Sequence, residues 1–200
     1  MKTNIVIFIL IICIAYGCKK NDFKTYVWIY DSDYPELPVY SEMGYNTFGA
    51  YYDKLVFISN EELAPAKVIA TNNFTSFELF GHYGAIYNYG DYNTMAMKFR
   101  IPVNQPKEYS DLISLNGAVI DLKDTLSQVT IIKDTSEYIA DILSGELTFK
   151  KAQFLIVDKK PIEVILSGYL NFNALINNDS ISVREGRFDV GVGPENFYVY

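Results

Sequence analysis

The sequence predicts an all-β domain, an antiparallel β-sandwich or meander-type sheet with at most one or two short helical turns. Three observations carry this expectation. Beyond residue 22, apolar side chains alternate with polar ones in short runs bounded by Gly, Asn, Asp and Pro, as in half-buried strands. These runs are rich in Val, Ile, Thr and aromatic residues, and the chain has 17 Tyr and 13 Phe, types that fit a pleated surface. No stretch of the same region repeats apolar residues at helical spacing over the length of a helix.

In chain order the alternation places strands at Tyr26–Tyr30, Thr47–Tyr51, Lys54–Ile58, Lys67–Thr71, Thr75–Phe80, Ala85–Tyr89 and Thr94–Ile101. Further strands fall at Ala118–Leu122, Gln128–Lys133, Tyr138–Leu143, Glu146–Ile156, Ile162–Leu175, Ser180–Val190 and Phe197–Tyr200. Tyr52-Asp53-Lys54 reads as a hairpin turn. Ser59-Asn60-Glu61-Glu62 has the form of a capping box for one helical turn that Pro65 ends. Pro106–Leu115 is either a short helix or a loop.

"LSGELTF" (Leu143–Phe149) and "LSGYLNF" (Leu166–Phe172) match at five of seven positions, which predicts two similar strands in one antiparallel sheet. Coincidence is the rival reading of so short a match. Near the end the apolar parity changes: Ile181 and Val183 share one face, whereas Phe188, Val190 and Val192 take the other. A β-bulge near Arg184–Gly186 restores the register. Arg187 and Asp189 alternate with Phe188 and Val190 and read as a solvent-facing charged row, with a binding role as the rival.

Two hundred residues make one domain with a real core. The net charge is −7 and no Lys or Arg block follows position 20, so the charge pattern that neutralises phosphates is missing and nucleic acid is not an expected partner. The only cysteines are Cys13 and Cys18, which removes a disulfide framework or thiolate zinc site from the folded body.

The first residues have a different character. Lys2 precedes the ten-residue apolar stretch Ile5–Ile14, which Ala15-Tyr16-Gly17-Cys18 follows. A spanning helix needs about 20 apolar residues, so the run has the proportions of a secretory signal instead. Ala15–Cys18 resembles the lipobox of bacterial lipoproteins. That resemblance implies cleavage before Cys18, a diacylglycerol on its thiol and an acyl chain on the new amino terminus, which together hold a domain on a membrane. An ordinary signal peptide cut near Gly17, or a buried N-terminal strand, is the rival. The expected division is a removed signal at 1–17, a lipidated tether at 18–25 and one β domain at 26–200.

Candidate chemistry is sparse. His82 is the single histidine, so a paired-imidazole metal site or acid–base mechanism is not available, and no Gly-x-Ser-x-Gly elbow, Walker loop or dinucleotide fingerprint occurs. Asp31, Asp33 and Glu36 cluster in "YDSDYPELP" and read as a solvated loop, a calcium site, or with Glu61 and Glu62 the carboxylates of a hydrolase. "GHYGAIYNYGDYN" (Gly81–Asn93) offers Tyr83, Tyr87, Asn88, Tyr89, Asp91 and Tyr92. It is either an aromatic ladder within the sheet or a platform for a glycan or peptide. Asp124-Thr125-Leu126 and Asp179-Ser180-Ile181 resemble the Asp-Ser/Thr-aliphatic acceptor motif of Bacteroidota O-glycosylation, which implies that Thr125 and Ser180 lie on exposed turns.

Two longer stretches carry a family resemblance. "EMGYNTFGAYYDKLVFIS" (Glu42–Ser59) is similar to the opening motif of a family of uncharacterised Bacteroidota lipoproteins, and "LSGYLNFNALINNDSISVREGRFDVGV" (Leu166–Val192) is similar to its closing motif. The family usually has Asn-Gly-Lys and a tryptophan where Asp53-Lys54 and Phe57 stand. The resemblance implies a lipid-anchored β-rich domain and brings no catalytic residue. The resulting expectation is a non-enzymatic outer-membrane lipoprotein, with a periplasmic or surface-facing domain, acting as a structural, adhesive or binding module. No cofactor beyond the covalent lipid is expected; the partners are a membrane and a glycan or envelope protein. A carbohydrate-binding lipoprotein and a carboxylate-dependent envelope hydrolase are the alternatives.

Overall fold

The computed structural model describes residues 26–59, 64–84, 93–102 and 105–200. The strands are β1 (Thr47–Tyr52), β2 (Leu55–Ile58), β3 (Ala66–Ala70), β4 (Thr75–Gly84), β5 (Asn93–Ile101), β6 (Ala118–Asp121), β7 (Gln128–Lys133), β8 (Ser136–Val157), β9 (Lys160–Ile176), β10 (Asp179–Val192) and β11 (Phe197–Val199). The one helical element among the described residues is a 3₁₀ helix, Tyr109–Leu115. The all-β expectation therefore holds.

All the strands belong to one sheet, and it closes on itself. Along the path β4-β2-β1-β10-β9-β8-β7-β5 each strand is hydrogen-bonded to the next, and β4 also pairs with β5. Closure removes the exposed ladder edges that an open sheet leaves. β3 and β6 extend the ladders on the edges of β4 and β8 that also pair with β2 and β7, and β11 joins β3 in parallel. The meander β7-β8-β9-β10 supplies the long strands, with 22 residues in β8 and 17 in β9.

The enclosed space is filled. Phe48, Phe57, Phe77, Phe99, Phe149, Phe172 and Phe188 are all less than 2% exposed. Phe77 of β4 meets Phe149 of β8 and Phe188 of β10 with ring centroids 5.4 and 5.3 Å apart, so opposite walls pack face to face as in a sandwich. Each such ring contributes about 1.5–3 kcal/mol through burial.

The echoed heptapeptides lie on β8 and β9 and pair with one another. Leu147 stands opposite Leu170, Gly145 opposite Phe172, and Gly168 opposite Phe149, so each copy's glycine makes room for the other's phenylalanine. A Cβ on Gly168 would lie 2.7 Å from Phe188 Cζ and would also collide with the Thr148 carbonyl oxygen. The expected bulge is present: the β9–β10 register shifts between Val183 and Gly186, with Glu185 at φ 52.

Other expectations change in detail. Tyr138–Leu143 and Glu146–Ile156 are one strand, β8, carried past Ser144-Gly145 by a register shift between Ile142 and Ser144. Tyr26–Tyr30 makes the isolated bridge Tyr30–Pro38, closed by Asp31 N–H to the Leu37 carbonyl and Val39 N–H to the Ile29 carbonyl, and is not a strand of the sheet. Pro106–Leu115 resolves into the 3₁₀ helix. The proposed strand Ala85–Tyr89 and the capping-box residues Asn60, Glu61 and Glu62 lie outside the described residues.

The closed sheet has two distinct ends. The β1–β2 turn at Asp53-Lys54, the β7–β8 turn at Asp134-Thr135, the β9–β10 turn at Asn177-Asn178 and the β4–β5 connection all lie at one end, here called distal. Asp53, Asp134, Asn177 and Asn178 have positive φ, as tight hairpins require. The opposite, proximal end holds the β8–β9 turn at Asp158-Lys159, the start of β1 and the end of β10.

Candidate functional site

Strand parity brings three side chains into the distal mouth. Phe48, Ala50 and Tyr52 of β1 face inward, as do Val129 and Ile131 of β7, and Lys133 follows on the same face. Tyr83 of β4 packs against this core. The Tyr52 and Tyr83 rings meet edge to face at 6.0 Å. Lys133 Nζ sits 4.4 Å from the first ring centroid and 4.7 Å from the second, within cation–π range of both. No ion pair to Lys133 is formed among the described residues.

Burial sets the electrostatics of this cluster. Tyr52 is 5% exposed, and its hydroxyl pKa is pushed up to about 12, first by burial and then by the Asp53 and Tyr83 neighbours. Burial pushes the Lys133 ammonium down, against the pull of Asp53. Asp53 is itself fixed: its N–H donates to the Ser182 carbonyl at 2.8 Å, and its Oδ1 accepts the Ser182 N–H at 2.8 Å. The mouth thus presents a half-buried cation backed by aromatic faces, an arrangement that can receive an acidic or polar group on a ligand with a flat apolar face.

Of the tyrosine-rich stretch, Tyr83 belongs to this cluster, whereas Tyr87, Asn88, Tyr89, Asp91 and Tyr92 lie outside the described residues. Their segment joins Gly84 to Asn93 and is therefore tied at both ends to the distal mouth. Lys133 and Tyr52 were not candidates from composition or motif. Their signal is parity alone, each continuing the inward face of its strand at the last residue. His82 stands within β4, opposite Ile58 and Thr94.

The acidic cluster does not converge. Asp31 Oδ1 accepts the N–H groups of Asp33 at 2.8 Å and Tyr34 at 3.1 Å, and its Oδ2 pairs with Arg187 Nη1 at 2.5 Å. Asp33 is exposed, and Glu36 lies against Tyr51, whose hydroxyl is pushed up by burial and then by that carboxylate. Among the described residues no three His, Cys, Asp or Glu side chains come together to hold a metal ion. Glu61, Glu62 and Cys18 lie outside the described residues. Thr125 is exposed on a turn, and exposed Ser180 is the second residue of β10, one step beyond its turn.

Arg187 and Asp189 correct an expectation, being 6% and 1% exposed and not solvent-facing. They do point outward, but residues 26–45 cross that face and cover it. The Arg187 guanidinium pairs with Asp31 and lies 4.8 Å from the Tyr34 ring centroid. Asp189 accepts N–H groups from Met43, Gly44 and Tyr45 and the Ser167 hydroxyl. Asn46 Oδ1 in turn accepts the Gly191 N–H at 2.9 Å. Thr47 stands opposite Asp189 and Phe48 opposite Phe188, so the Asn-Thr-Phe-Gly and Gly-Arg-Phe-Asp motifs are two sides of one β1–β10 clasp.

The fold and this mouth define a closed, phenylalanine-filled β domain with an aromatic and cationic distal end. No family model matches the chain, and neither the curated proteins nor the solved structures include a match to it. No helix among the described residues is long and apolar enough to cross a membrane.

Proposed function

We propose that this chain is a non-enzymatic, lipid-anchored binding module of a Gram-negative outer membrane, and that its distal end contacts a glycan carrying acidic groups. The observation that carries the reading is the Lys133–Tyr52–Tyr83 cluster, set where the tyrosine-rich segment leaves β4 and returns to β5. With the interior filled by phenylalanines, a ligand is met at the mouth and not within the sheet. Tyrosine faces suit the flat apolar faces of sugar rings, and the ammonium suits a carboxylate or sulfate on the same ligand.

The anchor rests on the Ile5–Ile14 run and the Ala15–Cys18 lipobox resemblance. The likeness to Bacteroidota lipoproteins supports the same reading, since the two motifs that carry it are partners in the β1–β10 clasp. The test has two parts. Cys18→Ala moves the protein from the membrane to the soluble fraction, and a variant that stays with the membrane refutes the anchor. Folded protein on a broad glycan array binds acidic glycans, and Tyr87→Ala with Tyr89→Ala loses the signal. A folded sample with no signal refutes the glycan.

A further inference from the structure

The proximal end carries a feature that the distal site does not use. β10 ends at Val192, opposite Val164; Gly193 lies beside Ile162 and Glu163, and the Tyr109 hydroxyl of the 3₁₀ helix donates to the Pro161 carbonyl at 3.3 Å, so the β8–β9 hairpin from Leu155 to Glu163 is supported at its base and runs on beyond the β10 ladder. On the other edge of β8, the β6 ladder ends at Phe149 and Asn116 Oδ1 accepts the Ala152 N–H; the hairpin continues past both. This overhang is apolar at its surface: Phe154 is 39% exposed and Ile156 61%, with Leu155, Val157 and Ile162 half-buried beside them.

Its charge runs against that of the chain. Between Lys150 and Glu163 stand Lys150, Lys151, Lys159 and Lys160 against Asp158 and Glu163, a local excess of two positive charges in a protein of net charge −7. Lys150 lies over the stacked Tyr40 and Tyr169 rings, 5.6 and 5.7 Å from their centroids, whereas Lys159 and Lys160 are exposed at the turn. An apolar tip ringed by lysines is complementary to one kind of surface, a bilayer with anionic headgroups, where the tip enters the interface and the ammonium groups meet phosphate.

The path of the chain points the same way. The Val27 N–H donates to the Tyr45 carbonyl, and the Tyr45 N–H donates to Asp189. The neighbouring Glu42 carbonyl accepts from Gln153 of β8, and an added Cβ at Gly44 would touch Ile165 of β9. Residue 26 therefore enters the fold at the end from which the hairpin projects. Seven residues, and so eight Cα-to-Cα steps, separate Cys18 from Tyr26, a reach of at most about 29 Å.

We infer that the β8–β9 hairpin is a membrane foot: Phe154 and Ile156 insert at the surface of an anionic bilayer, Lys151, Lys159 and Lys160 contact its headgroups, and the distal mouth is held away from the lipid. The argument from chain path takes the anchor at Cys18 from the reading above; the apolar tip and its lysines stand without it.

The test uses the full chain reconstituted in vesicles of phosphatidylcholine and phosphatidylglycerol with brominated acyl chains, which quench tryptophan on contact. Trp28→Phe removes the only tryptophan, and Ile156→Trp or, as a distal control, Lys54→Trp supplies a single reporter. The expected result is about a twofold loss of emission at position 156 and none at position 54. Adding Lys151→Glu, Lys159→Glu and Lys160→Glu abolishes the loss at 156 while the protein still sediments with the vesicles. Sedimentation with equal emission from both reporters overturns the foot and leaves the anchor standing. Failure to sediment overturns both.

Discussion

Replacing Asp189 by alanine removes the acceptor on which three backbone N–H groups and a hydroxyl converge. In the folded protein Oδ1 accepts the Gly44 N–H at 2.9 Å and the Ser167 hydroxyl at 3.0 Å, while Oδ2 accepts from Met43 at 3.2 Å and from Gly44 and Tyr45 at 3.0 Å each. Alanine leaves the Met43, Gly44 and Tyr45 N–H groups without this acceptor. A buried donor left unsatisfied costs about 1–3 kcal/mol. Met43 is 67% exposed and its N–H gains water on a small movement, which leaves Gly44 and Tyr45 and an expected loss of about 2–3 kcal/mol. In a domain of this size 1 kcal/mol corresponds to about 2–4 °C, so Tm should fall by roughly 4–12 °C. Circular dichroism melts of Asp189→Ala against wild type read this directly, with exposed Asp33→Ala as the control that does not move. A variant melting within about 1 °C of wild type would falsify the clasp as a stabilising element.

Three further outcomes follow from the same geometry. Gly168→Ala drives a methyl group into the Thr148 carbonyl and the Phe188 ring, so it should cost at least about 1–3 kcal/mol and lower folded yield on gel filtration; a wild-type melt would contradict the paired-echo geometry. Burial pushes the Tyr52 hydroxyl up to about 12 in the folded protein, above its unfolded value of about 10. Its contribution is full below pH 10 and is lost as pH rises toward 12. Urea melts at pH 9 and 11 should show a smaller alkaline loss in Tyr52→Phe than in wild type, with the rest due to other buried tyrosines such as Tyr40, which burial also raises; identical losses would remove Tyr52 from the buried mouth. Burial disfavours the Lys133 ammonium, so Lys133→Met should hold or raise Tm at neutral pH while glycan binding drops; a marked fall in Tm would make Lys133 a structural residue instead.

Particular residues show what the sequence could convey. Alternation is a local property, and it identified the inward faces, the bulge at Arg184–Gly186 and the pairing potential of the two heptapeptides. The outward direction of Arg187 and Asp189 was legible as well. Their burial was not, because it depends on residues 26–45 crossing the β1–β10 face, a contact between segments about 150 positions apart. Closure by the β4–β5 pairing is equally non-local, and so is the meeting of Lys133 with Tyr52 and Tyr83, which lie on three different strands. The alternation ends the first strand at Tyr51 and the Thr75 strand at Phe80, so Tyr52 and Tyr83 become inward strand residues only in the longer β1 and β4 of the structure, and only the closed sheet brings them to one mouth with Lys133.

The central claim is that the distal mouth is the working end of the protein. Its most direct measurement is a titration of the full chain with the acidic glycan that gives the strongest array signal, comparing wild type, Tyr83→Ala and Arg100→Ala, the last altering a residue remote from the mouth. The account predicts that Tyr83→Ala weakens binding by about tenfold or more with an unchanged fold, as loss of a stacking face should, and that Arg100→Ala leaves it intact. Equal affinities for wild type and Tyr83→Ala would contradict it.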